Sequence, residues 1–217
     1  MLSEKFSIQN REAGTDEAGR GCLAGPVTCA AVILNKSQIH LLSTINDSKK
    51  LSEKTRETLQ KIIEETAKCF SVIQIESSKI DQINILQASI LGMQTATLAL
   101  NPKPAHLIVD GNRFNSGIHL PYNQQNSFYK YAEPSIFENQ IPYTTIIKGD
   151  SKYMSIAAAS ILAKTYRDKY MLQIHQEFPM YNWAKNKGYP TKEHYDAIKK
   201  YGRCKYHRMT FKFKDEK

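Results

Sequence analysis

At 217 residues, with 41% hydrophobic and 24% charged side chains, the chain has the size and composition of one ordinary globular domain with enough apolar material for a core. No apolar run approaches the ~20 residues of a membrane span, and the opening residues lack a signal peptide's apolar core, so a cytoplasmic protein is expected. The net charge of +9 is unevenly placed: from Lys185 to Lys217 eleven Lys or Arg face four Asp or Glu, a local excess of +7 that favours polyanions, nucleic acid first.

The elements follow in chain order. Residues 5–15 are expected to supply a strand, and residues 25–34 (GPVTCAAVIL) a second one after a glycine turn. Ser52 is placed to cap a helix running to about Lys68, with Leu59, Ile62 and Ile63 on its buried side. Cys69 to Glu76 alternates as a third strand. Ser78 to Leu100 carries Ile80, Ile83, Leu86, Ile90, Met93 and Ala96 at helical spacing, a core-packing stripe ended by Asn101-Pro102-Lys103-Pro104. Ala105 to Gly111 is a short apolar strand closed by Asp-Gly, and 112–139 is a polar surface excursion. Ile141 to Lys148 gives another strand. Tyr153 to Phe178 is a helix whose small residues, Ala157 to Ser160, allow close approach to a sheet. A last helix runs from Thr191 to Tyr201 and is ended by Gly202. Hairpin strands first, then strands separated by helices, predict an α/β fold with a mixed sheet.

The four cysteines, Cys22, Cys29, Cys69 and Cys204, include no C-x-x-C pair and read as reduced thiols without a zinc site. The six histidines are scattered, and structural or surface roles are expected for them.

Chemistry concentrates at acids placed where strands run out: Asp16 with Glu17, Asp110, and Asp150. Each has a plain structural explanation, an acidic turn at Asp16-Glu17, an Asp-Gly turn at Asp110, a helix cap at Asp150. Together they point elsewhere, because ligand sites in open α/β sheets gather at strand ends. Adjacent side chains on a strand face opposite ways, so Asp16 and Glu17 serve one site only if the chain bends there, and the glycines that follow make the bend cheap. Converging carboxylates without cations resist ionisation; all-oxygen donors point to Mg²⁺ or Mn²⁺, bound weakly until a substrate phosphate supplies further ligands.

The run Asp16-Glu17-Ala18-Gly19-Arg20-Gly21, with Leu23-Ala-Gly-Pro26, resembles the opening motif of bacterial ribonuclease HII. So do Asp47-Ser-Lys-Lys-Leu51, Val109-Asp-Gly-Asn112, Lys148-Gly-Asp150, Ser155 to Lys164 with Arg167-Asp168, Gly188-Tyr-Pro-Thr191, and His207-Arg208 with Phe211. The likeness covers nearly the whole chain in order. Ribonuclease HIII is similar in chemistry but typically has Lys where Arg20 stands. The resemblance implies a ribonuclease H-like fold, a five-stranded mixed sheet flanked by helices, with a core over 1–178 and a small basic helical extension over 179–217. It implies a monomer that cleaves RNA in RNA–DNA hybrids and cuts 5′ of single ribonucleotides embedded in duplex DNA, leaving 3′-hydroxyl and 5′-phosphate ends. Carried over by position, Asp16, Glu17, Asp110 and Asp150 hold the metal, by a two-metal-ion mechanism. Gly19, Arg20 and Gly21 contact the ribonucleotide and its 2′-hydroxyl, Tyr189 stacks on the sugar at the junction, and Lys49 meets a phosphate near the scissile bond. For Lys164 and Arg167 a solvent face or ion pairing is the expectation, and for Asp168 an ion pair within its helix. Two other readings are a binding protein that has lost its chemistry, against which the four acids count, and a DNA-resolving nuclease, against which the Gly-Arg-Gly element counts.

Overall fold

The computed structural model describes residues 2–7, 11–42, 45, 51–114 and 141–212. Five strands form one sheet: β1 (Glu12–Ala18), β2 (Val27–Ile33), β3 (Cys69–Ile75), β4 (His106–Asp110) and β5 (Tyr143–Ile146), in the order β3-β2-β1-β4-β5. β1 pairs antiparallel with β2, and β2 with β3, whereas β1, β4 and β5 run parallel. The first strand begins later than the sequence suggested, at Glu12, and includes both acids. The helices are α1 (Glu53–Thr66), α2 (Ser77–Ala99), α3 (Met154–Glu177), the single turn α4 (Trp183–Asn186) and α5 (Lys192–Tyr201).

All seven residues of β2 are buried because the sheet is covered on both faces. Val27, Cys29, Ala31 and Ile33 pack under α2 with Ala88, Met93 and Ala96; Ala30 and Val32 pack on the other face with Leu59 and Ile63 of α1 and Ala157 to Ala159 of α3. The small residues of α3 do what their size allows. A Cβ on Gly14 of β1 would lie 2.3 Å from the backbone carbon of Ser155, so strand and helix touch backbone to backbone.

Ser52 caps α1, its hydroxyl accepting from the Thr55 N–H at 3.1 Å, as read from the sequence. The second helix is not one continuous helix. It breaks at Asn84 (φ 66°, ψ 164°), whose Oδ1 accepts from the N–H groups of Leu86 and Gln87, so the apolar stripe continues while the backbone restarts. Periodicity of side chains carries no record of such a break. The 112–139 excursion lies, from 115 on, outside the described residues. At the C-terminal end, Trp183, Ala197 and Ile198 pack with Leu23, Ala24, Met171 and Ile174, tying the last helices to α3 and to the loop after β1.

Candidate active site

Three neighbouring parallel strands end at one edge of the sheet, and the acids sit at their ends. In the register Thr15 stands opposite Val109, and Val109 opposite Thr145; Asp16 and Asp110 each follow by one residue. Side chains alternate along a strand, so Asp16 shares the face of Gly14, toward α3. There the Asp16 carboxylate is hydrogen-bonded by the Ser160 hydroxyl, and its Oδ1 accepts from the Glu17 N–H at 2.7 Å. Glu17 sits on the next position, opposite Cys29 in a register that continues unbroken to Ala18, so the bend expected between the two acids is absent and the strand turns only after them. It forms a 3.1 Å ion pair with the half-exposed guanidinium of Arg20.

Asp110 links this pair to the third strand end. Its Oδ1 accepts from the Gly149 N–H at 2.6 Å, and Asp150 is the next residue, in a short 3-10 turn where it is 4% exposed. A Cβ on Gly149 would meet the tip of the Ile156 side chain at 2.5 Å and Asp110 Oδ1 at 3.3 Å, so the turn packs closely on both. The preceding Lys148 takes the left-handed conformation, φ 56°. The cap reading of Asp150 does not hold, since α3 begins after Tyr153 with no side-chain cap.

The electrostatics are those of unbalanced negative charge. Burial pushes the Asp16 carboxyl well above its ordinary value, and the charges of Glu17 and Asp110 push it further. Burial raises Glu17 as well, opposed by Arg20 and reinforced by Asp110. Asp110 thus acts on both acids of β1, although 93 residues of sequence separate it from Glu17. The donors are all carboxylate oxygens, which fits a hard divalent cation such as Mg²⁺ or Mn²⁺. Among the described residues no three His, Cys, Asp or Glu side chains stand ready to enclose an ion by themselves.

Beside the acids, β1 runs into the glycine loop. Gly19 (φ +91°) and Gly25 (φ +82°) occupy conformations that favour glycine, and a Cβ on Gly19 would lie 2.0 Å from Arg167 Nε. Gly21 faces open space. Tyr189 stands over the same region, 40% exposed, with Lys164 Nζ and Arg167 Cζ each 5.9 Å from its ring centroid and its hydroxyl hydrogen-bonded with the Cys22 thiol. The Leu23 N–H donates to the Gly188 carbonyl at 2.8 Å, joining the Tyr189 segment to the loop. Lys49 lies outside the described residues.

Arg167 departs from expectation. It is fully buried and donates to the carbonyls of Pro26, Ala24 and Lys187, facing neither solvent nor an acid. Its i, i+3, i+7 relation with Ser160 and Ala163, on the small-residue face of α3, was the sequence signal for that burial. Asp168 does pair with Lys164, at 2.6 Å. Two histidines form a buried pair behind Tyr189. The Nδ1–H of His194 donates to the Tyr189 carbonyl, so its Nε2 accepts from Trp183 Nε1 (3.0 Å) and from His207 Nε2 (3.2 Å). His207 Nδ1 then accepts from the Cys204 N–H. Burial and the neighbouring imidazole bring His207 down to about 4.

This arrangement has known counterparts. Residues 13–214 match the sequence profile of the family described as Ribonuclease HII. The chain belongs to the ribonuclease HII family. It is a ribonuclease H of type HII, a hydrolase and endonuclease. The ribonuclease HII of Flavobacterium psychrophilum is 59% identical over 100% of this chain and 97% of its own length. That of Christiangramia forsetii is 56% identical over 92% and 89%. The crystal structure of ribonuclease H2 from Pyrococcus horikoshii superposes with a TM-score of 0.71 at 25% identity, covering 93% of each chain. The ribonuclease H-like fold and the five-stranded mixed sheet expected of this type HII enzyme are therefore those observed. No helix among its described residues is long and apolar enough to cross a membrane.

Proposed function

We propose that the protein is a metal-dependent endoribonuclease that hydrolyses the RNA strand of RNA–DNA hybrids and cuts 5′ of single ribonucleotides in duplex DNA, leaving 3′-hydroxyl and 5′-phosphate ends. The observation that carries this reading is the convergence of Asp110 on the buried Asp16 and Glu17, with Asp150 next to the Gly149 that binds Asp110. A buried Asp16 whose proton affinity Glu17 and Asp110 both raise, beside a Glu17 that Asp110 raises too, is poorly suited to a purely structural role.

Asp16, Glu17, Asp110 and Asp150 would hold Mg²⁺ or Mn²⁺. Such ions, when bound, activate water and stabilise the leaving oxygen of a phosphodiester. With no ready-made protein cage among the described residues, water and substrate phosphate would complete the coordination, so substrate and metal bind together. The chain's own residues orient the acids: Ser160 and the Glu17 N–H hold Asp16, the Gly149 N–H holds Asp110, and Arg20 restrains Glu17. Gly19, Arg20 and Gly21 form the ribose seat, where backbone without side chains can reach the 2′-hydroxyl, the group that separates RNA from DNA. Tyr189 offers a ring beside that seat for stacking on the sugar, and Lys49 a charge for a phosphate.

Residues 1–178 are assigned as the catalytic core and 179–217 as a basic extension that adds phosphate contacts, supported by its packing on α3 and by its charge. A cytoplasmic monomer accords with this reading. The test is cleavage of a duplex carrying one ribonucleotide against its all-deoxy counterpart, with Mg²⁺, with Mn²⁺ and with chelator. Cutting only at the ribonucleotide, and only with metal, is expected; equal cutting of both duplexes would refute the assignment.

A further inference from the structure

The loop after β1 presents its backbone in an unusual sense: its carbonyls point into the protein and are held by two buried guanidiniums. Arg208, 1% exposed, donates from Nη2 to the Gly19 carbonyl at 2.7 Å and from Nη1 to the Arg20 carbonyl at 2.8 Å. It also donates from Nε and Nη2 to the Gly25 carbonyl, at 3.1 and 2.9 Å. Arg167, fully buried, takes the carbonyls of Ala24 and Pro26, both at 3.1 Å, and that of Lys187 at 2.8 Å. Gly19 lies so close to Arg167 that no side chain fits between them.

The consequence follows from peptide geometry. In a trans peptide the C=O of one residue and the N–H of the next point to opposite sides. The cis bond among the described residues is at Asn101–Pro102, so the peptides Gly19–Arg20 and Arg20–Gly21 are trans. With the carbonyls of Gly19 and Arg20 drawn inward by Arg208, the N–H groups of Arg20 and Gly21 are turned outward. Both residues are exposed, and Gly21 borders open space. Burying a guanidinium against neutral carbonyls is costly, and burial brings Arg208 down to about 10, still charged at neutral pH. No ordinary turn needs that expense. A loop that must offer two bare N–H donors to a ligand does.

We infer that Arg208, backed by Arg167, is a positioning residue for ribose selection: it fixes the carbonyls of Gly19 and Arg20 inward and so presents the Arg20 and Gly21 N–H groups to the 2′-oxygen of the ribonucleotide. This rests on the reading of Gly19–Gly21 as the ribose seat. Arg208 touches no substrate; it acts through the backbone it holds. Lysine keeps the charge but has one nitrogen, which cannot span three carbonyls in fixed geometry.

The experiment is competition in a cleavage assay on a labelled single-ribonucleotide duplex, with unlabelled competitors that differ only in bearing ribose or deoxyribose at that position. For the wild-type protein the ribose competitor is expected to bind more tightly. In Arg208→Lys that preference falls by about tenfold, the worth of one charge-assisted hydrogen bond, while the deoxy competitor's inhibition constant stays within about twofold. A merely structural role would lower the folded fraction and leave the preference unchanged, and that result would overturn the inference. Should Arg208→Lys not fold, amide exchange in the wild-type protein decides. The Arg20 and Gly21 N–H groups exchange freely in the free protein and become protected by the ribose-bearing duplex but not by the deoxy one. Protection already present in the free protein would refute the outward arrangement. A wild-type protein without ribose preference would remove the seat itself, an outcome distinct from an unchanged preference in Arg208→Lys.

Discussion

Two buried charged regions lie side by side in this molecule and are built on opposite terms. At the strand ends, Asp16, Glu17 and Asp110 repel one another, and the groups that oppose this among the described residues include a serine hydroxyl, two backbone N–H groups and one surface arginine. Behind the glycine loop, Arg167 and Arg208 are equally buried, yet carbonyls surround them and the His194–His207 pair is kept neutral with its donors placed. The first region carries a repulsion that a bound cation would relieve on the function proposed above; the second holds its neighbours in position. On the function proposed above, the chemistry is carried where charge is left unbalanced, and geometry where it is satisfied.

The largest expected effect breaks the first region. Asp16→Asn should lower kcat on the order of a thousandfold, since several kcal/mol of transition-state stabilisation depend on the charge it supplies. The same change should raise the melting temperature at neutral pH. The folded-state proton affinity of Asp16 is raised, so the folded protein binds more protons than the unfolded chain above the ordinary carboxylate value, and stability falls as pH rises through that window. Differential scanning calorimetry checks both signs: Mg²⁺ or Mn²⁺ should stabilise the wild-type protein and have much less effect on Asp16→Asn.

Next in size is the second region's frame. Arg167→Met leaves three buried carbonyls without donors and should cost roughly 3–5 kcal/mol, read from the urea midpoint at unchanged slope. The histidine pair gives a smaller, pH-dependent loss. Because His207 is lowered to about 4 from 6.5, its contribution is fully present above pH 6.5 and is lost as pH falls toward 4, on the order of 3 kcal/mol in all. Replacing His207 by Gln should flatten that part of the stability profile; an unchanged slope would show that the histidines already carry protons in the fold.

The smallest effect sharpens the contrast between arginines. Arg20 is half exposed and paired with Glu17, so Arg20→Gln should change stability by no more than about 0.5 kcal/mol. Its trace should appear in Glu17, whose carboxyl rises further once the guanidinium is gone, measurable by NMR titration. A loss comparable with that of Arg167→Met would mean that the two arginines are alike after all.

Sequence by itself determined the alternation of strands and helices, the cap at Ser52, the small face of α3 and the acids at the strand ends, because these follow from local periodicity, turn chemistry and residue size. It also carried, through an ordered set of motifs, the family to which the chain belongs. What only the tertiary structure decided are relations between distant segments. Asp110 bears on Asp16 because β4 lies parallel to β1, a pairing no local pattern encodes. Arg167 looked like a surface cation until α3 pressed it against the loop, and α2 looked unbroken until Asn84 supplied its own cap. Burial and strand pairing are collective quantities, and a side chain's charge acquires its meaning only from the groups that folding sets around it.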